Sequence, residues 1–278
     1  MEVTSRADFV LYWAMQAPMP LALGLLAWKL GPHELGLITS ATEWAIYTAL
    51  AVLYALQLFD TWRINRQIFT TPVADIHRYS FNQVAALDIA YMITFGSELA
   101  VVSVLPLFFK DTFGLSLATA GFLGASFGMT TFFARPAGGW LSDRFGRRPV
   151  LLWCLACTAA GYGAMSYMGP KTGIVFAVAV TFLCSLFVNA GNGAIYAMLP
   201  MIKRRLTGQI AGMVGAFGNI GGVVFLAIYS DVDTATFFLI AAASALIGLA
   251  LTAAVIVEPR GQISEEMPDG SIAMIDVA

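Results

Sequence analysis

The chain has 278 residues, of which 59% are apolar and only 12% charged, with a formal net charge of -2. So few polar groups cannot coat a water-facing globule of this length, which excludes an ordinary soluble domain. No basic face of the kind that binds nucleic acid is present, and the near-neutral charge points to no partner.

A helix needs about 20 mostly apolar residues to cross a bilayer, and it must pair its backbone groups internally because lipid offers them none. Eight segments meet that requirement, over residues 9–29, 36–59, 83–109, 117–141, 149–168, 172–199, 208–229 and 235–257. Each is bounded by a cluster of charge, Pro or Gly. The predicted class is therefore an all-α integral membrane protein of about eight spans. Ahead of the first segment, Arg6 is the one basic residue against Glu2 and Asp8. The apolar run that follows exceeds a signal core, so this segment is expected to stay in the membrane.

The longest polar interruption runs from Asp60 to Asn82 and carries Arg63, Arg66, Pro72 and Arg78. It is expected to be a linker, residues 60–82, between two spans in residues 1–59 and six in residues 83–257, with a tail at 258–278. Just after it, Asp88, Tyr91, Phe95 and Glu98 fall at helical spacing with Thr94 beside them, a polar and aromatic stripe expected to face a central cavity. Glu98 is about mid-span. A carboxyl that takes up a proton there can offset the charge of an incoming anion, and a hydrogen bond to another helix or a salt bridge to Arg135 is the alternative.

Arg135 lies inside the next apolar stretch, where an arginine costs about 2.5 to 3.5 kcal/mol at a helix centre and needs a partner, a water path or a function. Its planar fork of donors suits a small planar oxyanion. Snorkelling towards headgroups near Asp143 is the competing reading. Pro136 disturbs the helix ladder just past the charge, and Gly138 and Gly139 let another helix approach. Residues 135–149 then form a dense glycine and arginine turn, containing Gly139, Leu141, Asp143, Arg144, Gly146, Arg147 and Arg148 as G-x-L-x-D-R-x-G-R-R.

Cys154, Cys157 and Cys184 lie in apolar segments, so they are expected to be inert buried thiols rather than a metal or redox site. Asn189, Gly191, Asn192 and Gly193 make a polar patch read mainly as helix contact, on a helix ending at Leu199–Pro200. Gly208, Gly212, Gly215, Asn219 and Gly222 then recur at three- and four-residue steps, with Gly218 and Gly221 widening the face. Such a bare face lets helices pack closely, and Asn219 within it offers both donor and acceptor groups. No strand precedes this run and no Lys-Ser/Thr follows it, so a nucleotide loop is not expected. No nucleophile–base pair or metal cluster stands at workable spacing, so neither an enzyme, a metal site nor a cofactor is expected.

With residues 60–82 in the cytoplasm, the basic residues collect on that side, leaving Lys29, Lys110 and Lys171 outside and Arg135 within a span. That satisfies the positive-inside rule with both termini cytoplasmic, in a cytoplasmic (inner) membrane.

The turn motif resembles the signature loop of major facilitator superfamily transporters. Two further stretches, Tyr91 to Ser97 and Gly208 to Gly222, together with Ala134 to Gly139, are similar to the nitrate/nitrite porter family of that superfamily. The resemblance covers about two thirds of the chain. It implies two six-helix halves around a midplane site, with residues 83–257 as the C-terminal half, and alternating-access transport of nitrate or nitrite. It further implies that Arg135 binds the anion, that Tyr91 packs on it, that Gly215, Gly218 and Asn219 belong to the site, and that Gly139, Asp143, Arg144, Gly146, Arg147 and Arg148 form a gating latch. The family's second arginine and its other glycine–asparagine signature are absent from residues 1–59. A missing N-terminal half, a truncated fragment that does not transport, and a carrier for another small organic anion therefore stay open, as do proton symport and exchange. The partners expected are the anion, membrane lipid and such a half.

Overall fold

The computed structural model describes residues 1–71, 73–258, 261–266 and 272–277. Within them the helices follow as α1 (Arg6–Ala14), α2 (Pro18–Leu30), α3 (Ser40–Asn65), α4 (Phe81–Phe113), α5 (Leu117–Met129), α6 (Thr131–Phe145), α7 (Arg147–Ser166), α8 (Ile174–Ile202), α9 (Thr207–Asp231) and α10 (Thr234–Val255). With α1–α2 and α5–α6 each joined into one crossing, 8 stretches are long and apolar enough to span a membrane. The chain is a helical multi-pass membrane protein, as its composition requires.

Two expected spans are broken helices. Pro18 and Pro20 lie in the first turn of α2, where the missing N–H groups would have had no helical partner; inside a continuous helix they would break bonds and clash. The second break falls at Thr130, between α5 and α6, with Pro136 following inside α6. Other helices overrun their expected ends. α3 continues to Asn65, into the stretch read as linker, and α8 runs past Pro200 to Ile202, because a proline in a last turn removes little of the ladder. In the tail, Gly261–Glu266 (β1) pairs antiparallel with Ile272–Val277 (β2), Gly261 opposite Val277, a hairpin that the sequence reading did not anticipate.

The chain divides into two compact units. One comprises Met1–Ala85, Met198–Met213 and the chain from Val257. Asn65, buried at the end of α3, organises it: its Oδ1 accepts from the Val3 backbone at 2.7 Å, and its Nδ2 donates to the Met1 carbonyl at 3.1 Å and the Thr61 carbonyl at 2.9 Å. Gln16, at the α1–α2 break, donates to the Thr61 hydroxyl at 2.7 Å, and Lys203 donates to the Ile76 carbonyl at 2.6 Å.

The other unit comprises Ala86–Ala197 and Val214–Ile256. Phe108, Phe109, Tyr162, Phe237 and Phe238 centre its apolar core. In a bilayer such packing is driven by dispersion and close fit rather than by escape from water. Glycines set that fit: a side chain at Gly138 would collide with the Ala190 backbone, and one at Gly193 with the Arg135 carbonyl, so α6 and α8 touch backbone to backbone. Asp233 caps α10 by accepting from the Thr236 N–H at 3.1 Å. The Thr236 hydroxyl, then its N–H, holds that carboxyl below its ordinary range.

Candidate functional site

α4, the α5–α6 break and α8 gather six polar side chains around Arg135, all within the second unit and two of them bonded to it directly. The Arg135 Nη2 donates to Glu98 Oε2 at 2.8 Å, and its Nε donates to Asn189 Oδ1 at 3.2 Å. Asn192 Nδ2 donates to the same Glu98 oxygen at 2.8 Å, while the Thr131 hydroxyl donates to Glu98 Oε1 at 2.8 Å. Glu98 thus accepts three charge-assisted or polar bonds and is 7% exposed against 29% for Arg135. Burying both charges is tolerable because each is paired and hydrogen-bonded.

The supporting groups are fixed in turn. Asn189 directs its Nδ2 to Thr130 Oγ1 and to the Ser185 carbonyl, both at 3.0 Å, which leaves its Oδ1 for Arg135 and Thr131. Asn192 Oδ1 accepts from the Thr94 hydroxyl at 2.6 Å. At the α5–α6 junction the Thr130 hydroxyl donates to the Phe127 carbonyl of its own turn at 2.8 Å while accepting from Asn189, and the single hydroxyl proton of Thr131 is shared between Glu98 Oε1 and Asn189 Oδ1.

An aromatic wall completes the cluster. The Arg135 guanidinium carbon lies 5.0 Å from the Phe95 ring centre, a cation–π contact worth about 0.5 to 2 kcal/mol. Phe95 stacks on Tyr91 at 5.0 Å, and Tyr91 meets Tyr196 edge-on at 5.2 Å. Gly218 lies against both stacked rings: a Cβ there would come within 2.5 Å of Phe95 Cδ1 and 2.6 Å of Tyr91 Cε1. Gly215 faces the Tyr196 hydroxyl, 3.4 Å from where its Cβ would be.

Arg135 has five N–H donors, and among the described residues two of them are engaged by Glu98 and Asn189. Those remaining are on the two terminal nitrogens, an edge shaped for a planar oxyanion. The arrangement can therefore present a partly exposed guanidinium beside an aromatic ring. Among the described residues, no group of three or more His, Cys, Asp or Glu is placed to hold a metal ion.

The expected residues separate into those gathered here and those elsewhere. Arg135, Glu98, Tyr91, Gly215 and Gly218 come together with Phe95. Asn219 does not join them: it is exposed, and its Nδ2 donates to the Gly215 carbonyl of its own helix at 2.9 Å. Asp88, expected on the cavity stripe, is instead fully buried, and neither carboxylate oxygen has a hydrogen-bond partner among the described residues. The packing edge of α9 is also rotated from the expected face, with Gly218, Gly221 and Gly222 tight against Phe95, Met92 and Leu99 of α4, while Gly208 and Gly212 have open space. Asn189 and Asn192, read mainly as helix contacts, are direct partners of the charged pair. Thr130 and Thr131 were not singled out, although two hydroxyls one turn before a membrane arginine were a usable signal.

At the far end of α6 the signature turn makes its own contacts. Gly146 has φ +94°, a backbone that favours glycine and lets α7 start at once. Asp143 pairs with Arg147 at 2.7 Å, next to the α7 N-terminus. Arg148 donates to the Ala253 carbonyl at 2.7 Å, near the α10 C-terminus, where a cation suits the helix dipole. Arg144 lies over Trp140 and Phe145, 5.5 and 5.8 Å from their ring centres. Gly139, by contrast, belongs to the α6–α8 contact, close to Gly193. Cys154 and Cys184 are buried and Cys157 half-buried, all as free thiols.

Residues 87–271 match the Major Facilitator Superfamily. The nitrate/nitrite transporter NrtP of Nostoc punctiforme is 40% identical over 275 residues, covering 95% of this chain and 53% of that protein. The probable nitrate/nitrite transporter NarK2 of Mycobacterium tuberculosis is 33% identical over 190 residues, 65% of this chain and 46% of its own. Among solved structures, the Escherichia coli fucose:proton symporter FucP is similar in fold, with a TM-score of 0.52 at 17% identity, covering 78% of this chain and 58% of that one. The chain spans about half the length of the curated relatives it matches.

Proposed function

Since the chain belongs to the Major Facilitator Superfamily, and within it to the nitrate/nitrite porters, we propose that it forms the anion-binding part of a secondary carrier for nitrate or nitrite. The observation that carries this reading is the Arg135 guanidinium, held by Glu98 and Asn189 against Phe95 with donors to spare. A planar monovalent oxyanion fits that edge and can lie alongside the Tyr91–Phe95 stack.

In this proposal residues 83–257 act as the C-terminal half, and a complementary N-terminal set of helices completes the path. The two halves rock around the midplane site. The protein lies in the cytoplasmic membrane with both termini inside, as the distribution of arginine and lysine supports. Asp143 to Arg148 serve as a latch whose ion pair forms in one access state and opens in the other. Glu98 links transport to protons: the entering anion competes with it for Arg135, and a carboxyl that accepts a proton releases the guanidinium.

Uptake of labelled nitrate tests the reading, in cells lacking their own nitrate carriers and expressing this chain together with the N-terminal half of the Nostoc relative. Saturable uptake that Arg135→Lys removes supports it. Equal uptake of an organic anion with no response to nitrate would give the chain to another substrate class.

A further inference from the structure

We propose that the outer face of α6, α7 and α8 is a binding groove for one anionic phospholipid, with an acyl chain in the groove and the phosphate at Arg144. The groove, of about 690 Å³, is lined almost entirely by apolar atoms. On α6 its wall is Phe133, Ala137, Leu141 and Phe145, four residues at four-residue steps and hence one stripe of the helix. Trp153 of α7 and Phe187 of α8 form the rims, and Ala190 lies on the floor.

Length and charge choose the occupant. The α6 stripe from Phe133 to Phe145 is about 18 Å long at 1.5 Å per residue, little more than half of a hydrocarbon core about 30 Å thick. One acyl chain needs one leaflet. At its Phe145 end the groove meets the signature turn, which carries Arg144, Arg147 and Arg148 against a single acid, Asp143, in sequence. Asp143 is taken by Arg147, and Arg148 reaches the Ala253 carbonyl. Arg144 is exposed and its guanidinium rests on Phe145, itself part of the groove lining, and on Trp140. A cation over interfacial aromatics at the mouth of an apolar groove matches a phosphate with a chain attached. The back of the floor is the α6–α8 contact at Gly138 and Ala190, so the bound chain braces the helices that carry Arg135 and Asn189.

Native mass spectrometry of the purified chain in detergent tests this, with phosphatidylglycerol and phosphatidylcholine of identical chains as probes. The expected result is one retained phosphatidylglycerol, favoured over phosphatidylcholine by roughly fivefold, the worth of one basic residue at a membrane surface. Arg144→Gln should bring that ratio close to one. Ala137→Phe, which fills the groove at an exposed position, should lower retention of both lipids, and Cys157→Phe should do so independently, with helicity checked by circular dichroism for each. Soluble glycerol phosphate in excess should not displace the lipid. The proposal is overturned by an unchanged ratio in Arg144→Gln, by unchanged retention in the folded groove variants, or by displacement with glycerol phosphate alone. Recovery as a dimer that Ala137→Phe dissociates would also overturn it, giving the groove to a second copy.

Discussion

Glu98 Oε2 and Arg135 Nη2 lie 2.8 Å apart between α4 and α6, an ion pair with a buried carboxylate and a partly exposed guanidinium. In the proposed function, Glu98 occupies part of the guanidinium that the anion would otherwise take. Removing either partner leaves the other charge unpaired, which in buried pairs costs about 3 to 5 kcal/mol. The pair is therefore a constraint on stability as well as on binding.

Arg135→Lys keeps the charge but loses the fork, so it cannot satisfy Glu98 and Asn189 and still offer two parallel donors. Nitrate uptake should fall at least about tenfold, the equivalent of one lost charge-assisted hydrogen bond. Initial-rate assays at matched expression check this; retention of more than half of the wild-type rate would argue against direct anion contact.

Glu98→Gln keeps the shape and a possible bond to Arg135 while removing the ionisable proton. Proton-driven accumulation of nitrate should be lost, whereas counterflow between internal and external nitrate should persist. Undiminished accumulation in a pH gradient would remove Glu98 from the coupling step.

Glycine substitutions on α9 should sort by the space each residue has. Gly218→Ala pushes a methyl into Tyr91 and Phe95, and Gly221→Ala collides with the Met92 carbonyl. Overpacking of this kind typically costs about 1 to 3 kcal/mol. Gly218→Ala is expected to weaken nitrate binding with a modest fall in Tm, since rings can shift, and Gly221→Ala to lower Tm more, since backbone cannot. Gly212→Ala, with nothing within 4 Å, should leave Tm unchanged or raise it.

Asp143→Ala breaks the ion pair to Arg147 at the turn, away from the guanidinium cluster. The maximal transport rate should drop more than the apparent affinity for nitrate. Gly146→Ala strains a backbone at φ +94°, at about 1 to 2 kcal/mol, and should show the same rate-selective loss. A change confined to affinity would contradict a latch role.

Much of this was legible from residue type and spacing. An arginine amid apolar residues needed a partner, and Gly138 beside it announced a close helix. The tyrosine–phenylalanine stripe on α4 likewise reached the site. The Glu98–Arg135 salt bridge was one of the two readings open for Glu98; what spacing could not supply was that the α8 asparagines join it. Asn189 and Asn192 lie some fifty residues from Arg135 in sequence, and only the α6–α8 crossing at Gly138 and Gly193 brings them into reach. The break at Thr130 was equally hidden, because the surrounding segment reads as one uninterrupted apolar helix. Asn219 drew attention from its place in a glycine run; its exposed side chain bonds the Gly215 carbonyl of its own helix rather than the charged cluster.

The central claim, that Arg135 is the anion's ligand, is met most directly by equilibrium binding of labelled nitrate to the assembled carrier, with wild-type Arg135 and with Arg135→Gln, Glu98→Gln combined. The double replacement leaves no unpaired charge, so the protein should remain folded. Saturable binding in the wild type and a loss of at least about tenfold in the double variant is the expected result. Unchanged nitrate affinity in the folded double variant would contradict it.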